Sequence, residues 1–315
     1  MDATARQFGA DARTLLRVAS IVQSIVPAAA RPWAARVLGQ RFSPYLAQRK
    51  RVVASMQKAL GLSMVQADTA WHEWLGSHGL FALTAVDYGH LSLRWIQREV
   101  SIADPTLLQQ IVQHGGFVLS CHSFHHNTLG CIFGLAGGHS SMLVASARSS
   151  PYFAQIGPFI ERLNSGSATH FGGGSYLFTD DPSGALAQTD ALLAQGKIVI
   201  SLCDVPRAVG LEGGADLASA QLLSKTICPH AGALDLAVKR GVPIYAAVLY
   251  PQQGRLVLQL QRLQDIRSTA SALQQYFDFL ARALRAAPAC WQGWDWYDTL
   301  PDLAPNKSAA THNPR

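Results

Sequence analysis

The chain has 315 residues, enough for one large α/β domain or two small ones. Hydrophobic residues make up 49% and charged residues 15%, so a sizeable core is available, and the low charge points to an apolar partner or a membrane surface. The net charge of +6 suits anionic headgroups or an acidic carrier protein. No zinc-finger spacing, aromatic-basic ribonucleoprotein motif or long Lys/Arg run points to nucleic acid.

The N-terminus opens with Asp2 and lacks the basic-then-apolar form of a signal peptide. Residues 18–30 are uncharged and flanked by Arg13, Arg17 and Arg31. This stretch is too short and too polar to span a bilayer. It suits either a helix packed on the core or an amphipathic segment lying in a membrane interface. Helical spacing continues through 52–62 and 71–88, with Trp71, Trp74 and Phe81 on one stripe, so residues 1–100 are expected to form a helical region. The basic cluster Arg49, Lys50 and Arg51 opens the second of these helices, and a solvated face accounts for it as readily as a ligand does.

From Pro105 to Ala147 there is no Asp, Glu, Lys or Arg. The pattern predicts a buried strand at 116–120, a histidine-rich turn, a buried helix and a second strand at 141–147. Further buried strands at 197–203 and 243–249 each follow a helical stretch, at 185–193 and 233–238. That rhythm predicts an α/β fold with a mostly parallel central sheet flanked by helices, over 101–303. Residues 255–261 alternate polar and apolar as a half-exposed edge strand would, and an amphipathic helix follows from 268 to 286. The tail, 304–315, has the composition of a disordered end. Five scattered cysteines without C-x-x-C read as reduced thiols of a cytoplasmic protein, mostly small core residues.

The chemistry is expected in Cys121-His122-Ser123-Phe124-His125-His126-Asn127, directly after a buried strand, where open α/β sheets bind ligands. His122 and Asn127 can face each other across the turn, one imidazole nitrogen taking a proton while the other is held. Histidines that satisfy buried polar groups are the plainer alternative. His122 and His125 also have H-x-x-H spacing, but no obvious carboxylate or cysteine completes a metal site, and none is expected. A Cys121–His122 dyad is disfavoured because neighbours on a strand point to opposite faces. There is no G-x-S-x-G, G-x-G-x-x-G, phosphate loop or H-E-x-x-H. Gly172-Gly173-Gly174 reads as a loop or turn.

The spacing of His122 and Asn127 resembles the H-x4-D/E motif of the lysophospholipid acyltransferase superfamily, and more narrowly the bacterial lipid A late acyltransferases. The resemblance runs from about residue 48 to 300 in ordered blocks. Residues 51–60 are similar to that family's basic helix, and Arg148 falls in its tyrosine-arginine-proline segment. Leu202-Cys203-Asp204 stands where the family has proline-aspartate-glutamine at a strand end. Residues 222–232 resemble its F-F-G…P-x-G segment, and 237–243 the helix and strand entry that follow. Pro288, Trp291 and Trp294 are similar to its proline followed by spaced tryptophans.

The resemblance implies acyl transfer from a thioester, on acyl-carrier protein or coenzyme A, to a hydroxyl or amine acceptor, with no further cofactor and no covalent enzyme intermediate. It implies His122 as general base and Asn127 as the group that orients it. Arg148, Arg162, Asp204, His125 and His126 would be substrate-binding. The departures are the amide at Asn127, the absence of an arginine near Gly172–Gly174, and no bilayer-spanning N-terminal helix. They leave open a non-catalytic relative that binds acyl chains or carrier protein. A cytoplasmic protein, with or without peripheral contact at the inner membrane, is expected.

Overall fold

The computed structural model describes residues 3–144, 157–205, 218–252 and 255–302. Five helices come first: α1 (Ala3–Ile25), α2 (Arg31–Phe42), α3 (Arg49–Leu60), α4 (Met64–Ala85) and α5 (Leu93–Glu99). Strand β1 (Val100–Ile102), α6 (Pro105–His114), β2 (Gly116–Ser120), α7 (His126–Leu135) and β3 (Ser140–Val144) follow. Then come α8 (Gly157–Ala168), β4 (Tyr176–Phe178), α9 (Pro182–Ala194) and β5 (Ile198–Leu202). After the hairpin β6 (Ala220–Leu222) and β7 (Lys225–Ile227) lie α10 (Gly232–Arg240), β8 (Ile244–Gln252), β9 (Arg255–Arg262) and α11 (Thr269–Ala286). Arg148 and the tail from 303 lie outside the described residues.

The central sheet has seven strands in the order β1-β9-β8-β2-β5-β3-β4. Strands β8, β2, β5, β3 and β4 run parallel, and only β8 and β9 pair antiparallel. The expected α/β architecture is therefore present. Burial on both faces explains why its inner strands read as unbroken apolar runs. Along β2, Phe117 and Leu119 enter one core while Val118 enters the other. Along β8, Ile244, Ala246, Val248 and Tyr250 alternate in the same way with Tyr245, Ala247 and Leu249.

One core lies under α3, α4, α10, α11 and the C-terminal tryptophans, the other under α5, α6 and α7. A third cluster joins α1 and α2 to α4 through Leu15, Leu16, Ala19, Ala34, Ala35, Leu38, Ala82 and Leu83. Helix α2 lies very close to α4. A Cβ on Gly39 would fall 1.8 Å from the Leu75 carbonyl oxygen, and one on Gly79 would fall 1.9 Å from that of Ala35.

Three expectations need correction. Strand β9 is not an edge strand, because β1 pairs with it in parallel through Val100–Leu256 and Ile102–Leu258. The three-residue strands β1 and β4 and the hairpin β6–β7 fall where no strand was expected, since three residues cannot display a period. Helix α2 was also unforeseen. Four of the five cysteines are buried and all are free thiols. No helix among the described residues is long and apolar enough to cross a membrane.

Candidate active site

Strands β2 and β5 are parallel neighbours in fixed register, Gly116 opposite Ile198 through Ser120 opposite Leu202. The ladder closes where the Cys203 amide donates to the Ser120 carbonyl at 3.0 Å. Two residues beyond each strand end, the same offset sets His122 against Asp204. His122 Nδ1 lies 2.7 Å from Asp204 Oδ1, and the His122 backbone amide donates to Oδ2 at 2.9 Å. A third donor arrives from the C-terminal segment: the Trp291 indole N–H meets Oδ2 at 2.6 Å. Trp291 is itself fixed by α4, because the Trp74 indole N–H donates to its carbonyl at 2.7 Å. The Gln292 amide closes back onto the His122 carbonyl at 2.8 Å.

Asp204 is fully buried. Burial alone would raise its pKa, but the His122 charge and the three hydrogen bonds outweigh that and hold it below the usual carboxylate value. An ionised Asp204 only accepts, so Nδ1 of neutral His122 carries the proton and Nε2 is left with its lone pair. The imidazole is 28% exposed, beside the rings of His126 at 5.5 Å and Trp296 at 6.2 Å. A histidine held at Nδ1 by a buried carboxylate, with Nε2 open to a visitor, can remove a proton from an incoming hydroxyl or amine.

The Asn127 expectation is corrected in geometry. Asn127 sits in the first turn of α7, where its carbonyl accepts from the Cys131 thiol. Among the described residues no hydrogen bond joins its side chain to His122. The orienting position is filled by Asp204, because the parallel register delivers it and the helix start does not deliver Asn127. His125, expected at the substrate, is instead fully buried under α4, edge-on to Phe81 at 6.4 Å. Neither of its ring nitrogens completes a hydrogen bond, although the Ser77 backbone is within electrostatic reach. Burial, and next the neighbouring His126, bring its pKa down to about 3. His126 stays half-buried beside His122, its Nδ1 against the Ser123 carbonyl. Arg162 is exposed on α8 and makes no printed contact with His122 or Asp204.

Cys121 cannot serve as a nucleophile here. It is fully buried, and burial, followed by the Asp204 and Cys290 charges, pushes its thiol well up. No group of three His, Cys, Asp or Glu converges on a metal-sized site among the described residues. The basic helix α3 reaches the rim, where Arg51 pairs with Asp295, next to Trp296. A separate recess of about 150 Å³, lined by Gln23, Arg31, Leu83, Asp87, Trp95 and Glu99 among others, contains none of these residues.

The role of Trp291 was missed as a residue contact. Its only trace in the sequence was the run of spaced tryptophans after Pro288.

No protein-family model matches the chain, and no curated protein matches it. Among solved structures it is similar to the 1-acyl-sn-glycerophosphate (LPA) acyltransferase PlsC from Thermotoga maritima, at 14% identity and a TM-score of 0.33. That match covers 78% of this chain and 98% of the other.

Proposed function

We propose that the chain is an acyltransferase that moves an acyl group from a thioester to a hydroxyl or amine on a lipid precursor or specialised metabolite. His122 is the general base and Asp204 holds it; acyl-carrier protein is the favoured donor. The acceptor approaches Nε2 and loses its proton as its oxygen or nitrogen attacks the thioester carbonyl. The carbon–sulfur bond then breaks, and the imidazolium returns the proton to the departing thiolate. No bond to the enzyme forms. The observation that carries this reading is the 2.7 Å pair between His122 and the buried Asp204 at the carboxyl end of β2. It supplies the full negative charge that Asn127, standing where the resembled family has a carboxylate, does not.

Asn127 is also what favours a second reading, a protein that binds acyl chains or carrier protein without turnover. Intact-mass measurement on a panel of acyl-carrier proteins with a crude acceptor extract separates the two. Loss of carrier-bound acyl groups and a new acylated product, with native chain and not with His122→Ala, supports transfer. Intact thioesters with both chains, together with carrier binding, select the second reading.

A further inference from the structure

We infer that the α1–α2 hairpin is a docking surface for an anionic lipid bilayer. Between Asp11 and Asp68 the sequence holds nine basic residues, Arg13, Arg17, Arg31, Arg36, Arg41, Arg49, Lys50, Arg51 and Lys58, and no acidic one. Across the rest of the chain acidic residues therefore outnumber Lys and Arg, 20 against 17 (26 less these nine), so the positive balance belongs to this segment.

The structure shows what the segment presents. The inward faces of α1 and α2 are consumed by packing on α4. The outward faces carry large apolar side chains in water: Ile21 at 62% exposure, Ile25 at 71%, Trp33 at 67% and Val37 at 37%. Ile25 closes α1 and Trp33 lies in the first turn of α2, so the apolar groups flank the short connection and form the apex of the hairpin. Arg17, Arg36 and Arg41 are exposed further back along the same two helices. Helical spacing puts Trp33, Arg36, Val37 and Arg41 on one face of α2. Of the carboxylates beneath the connection, Asp87 accepts from the Gln23 amide and Glu99 pairs with Arg98.

An apolar apex with an indole, backed by arginines, fits the interface of a bilayer: apolar tips among acyl chains, guanidinium groups at the phosphates. An acidic protein would satisfy the arginines and leave Ile25 and Trp33 in water, so the bilayer is favoured. The helices lie along the surface and do not cross it.

The test is flotation of the full chain with vesicles of phosphatidylcholine alone, or of phosphatidylcholine mixed equally with phosphatidylglycerol. The native chain should float with the anionic vesicles and not with the neutral ones. The pair Ile25→Ser with Trp33→Ser, and separately Arg36→Glu with Arg41→Glu, should each weaken flotation by about tenfold or more. All four positions are exposed, and an unchanged thermal melt for each pair shows that the fold survives. No flotation on anionic vesicles, equal flotation on both kinds, or native-like flotation of both variant pairs overturns the inference. So does loss with the arginine pair alone, which marks a surface for an acidic protein. Flotation reads no turnover, so the inference stands or falls separately from the acyltransferase reading.

Discussion

At the scale of single residues, Asp204 decides how His122 presents itself. An amide in its place could offer N–H to Nδ1 and turn the imidazole into the wrong tautomer. In a serine-protease triad the same change costs about 10⁴ in kcat. Asp204→Asn is therefore expected to lower kcat of acyl transfer by roughly 10³–10⁴ while leaving the acceptor's KM within a few-fold. Asn127→Ala should stay within about tenfold of native, since no bond ties it to the base; comparable losses in the two variants would reverse the assignment. Trp291→Phe keeps a ring in place but removes a donor to a buried charge. Chemical denaturation should register a loss of about 1.5–3 kcal/mol. His122 was legible because it directly follows an uncharged strand. Asp204 was placed at a strand end by resemblance, but its partner was misread as Asn127. A five-residue local spacing is visible in sequence, whereas the 82-residue step from His122 to Asp204 needs strand register.

At the scale of elements, the α2–α4 crossing depends on the absence of side chains at Gly39 and Gly79. Gly79→Ala would drive a methyl into the Ala35 carbonyl and push the helices apart, at an expected cost of about 1–3 kcal/mol in unfolding free energy. Gly76→Ala, on the same helix, is the control. Its Cβ would sit an ordinary 3.8 Å from the Arg36 Cα, and the gain in helix propensity predicts a neutral or slightly stabilising effect of about 0.5–1 kcal/mol. Thermal or urea unfolding of the two variants side by side checks the contrast. The same crossing explains why α2 escaped a reading by apolar stripe. Its buried face is Ala34, Ala35, Leu38 and Gly39, and small residues chosen for close approach do not announce themselves as hydrophobic. The long inner strands were readable because both of their faces are buried.

At the scale of the whole molecule, two neutral histidines tie stability to pH. His78 and His125 are buried, and burial lowers each to about 3, against an ordinary value of 6.5. Above pH 6.5 neither state of the chain binds their protons. Between 6.5 and about 3 the unfolded chain takes them up and the folded chain does not, so stability falls as pH falls. Each histidine contributes up to about 1.4 kcal/mol per pH unit in that window. Denaturant melts from pH 7.5 to 5 should show this slope, and His125→Leu should flatten it. That variant should also be no less stable than native at pH 7.5, because the imidazole it removes has no hydrogen-bond partner for either ring nitrogen.

The indole that meets Asp204 lies 87 residues further along the chain, and 217 residues separate Trp291 from Trp74. A ribosome making this protein emits the base early and the residue that completes its carboxylate cage near the end. Until Trp291 emerges, Asp204 lacks one of its donors and the C-terminal cover of the larger core is missing. The growing polypeptide is thus catalytically silent through most of its synthesis, and competence arrives only with the last stretch of sequence.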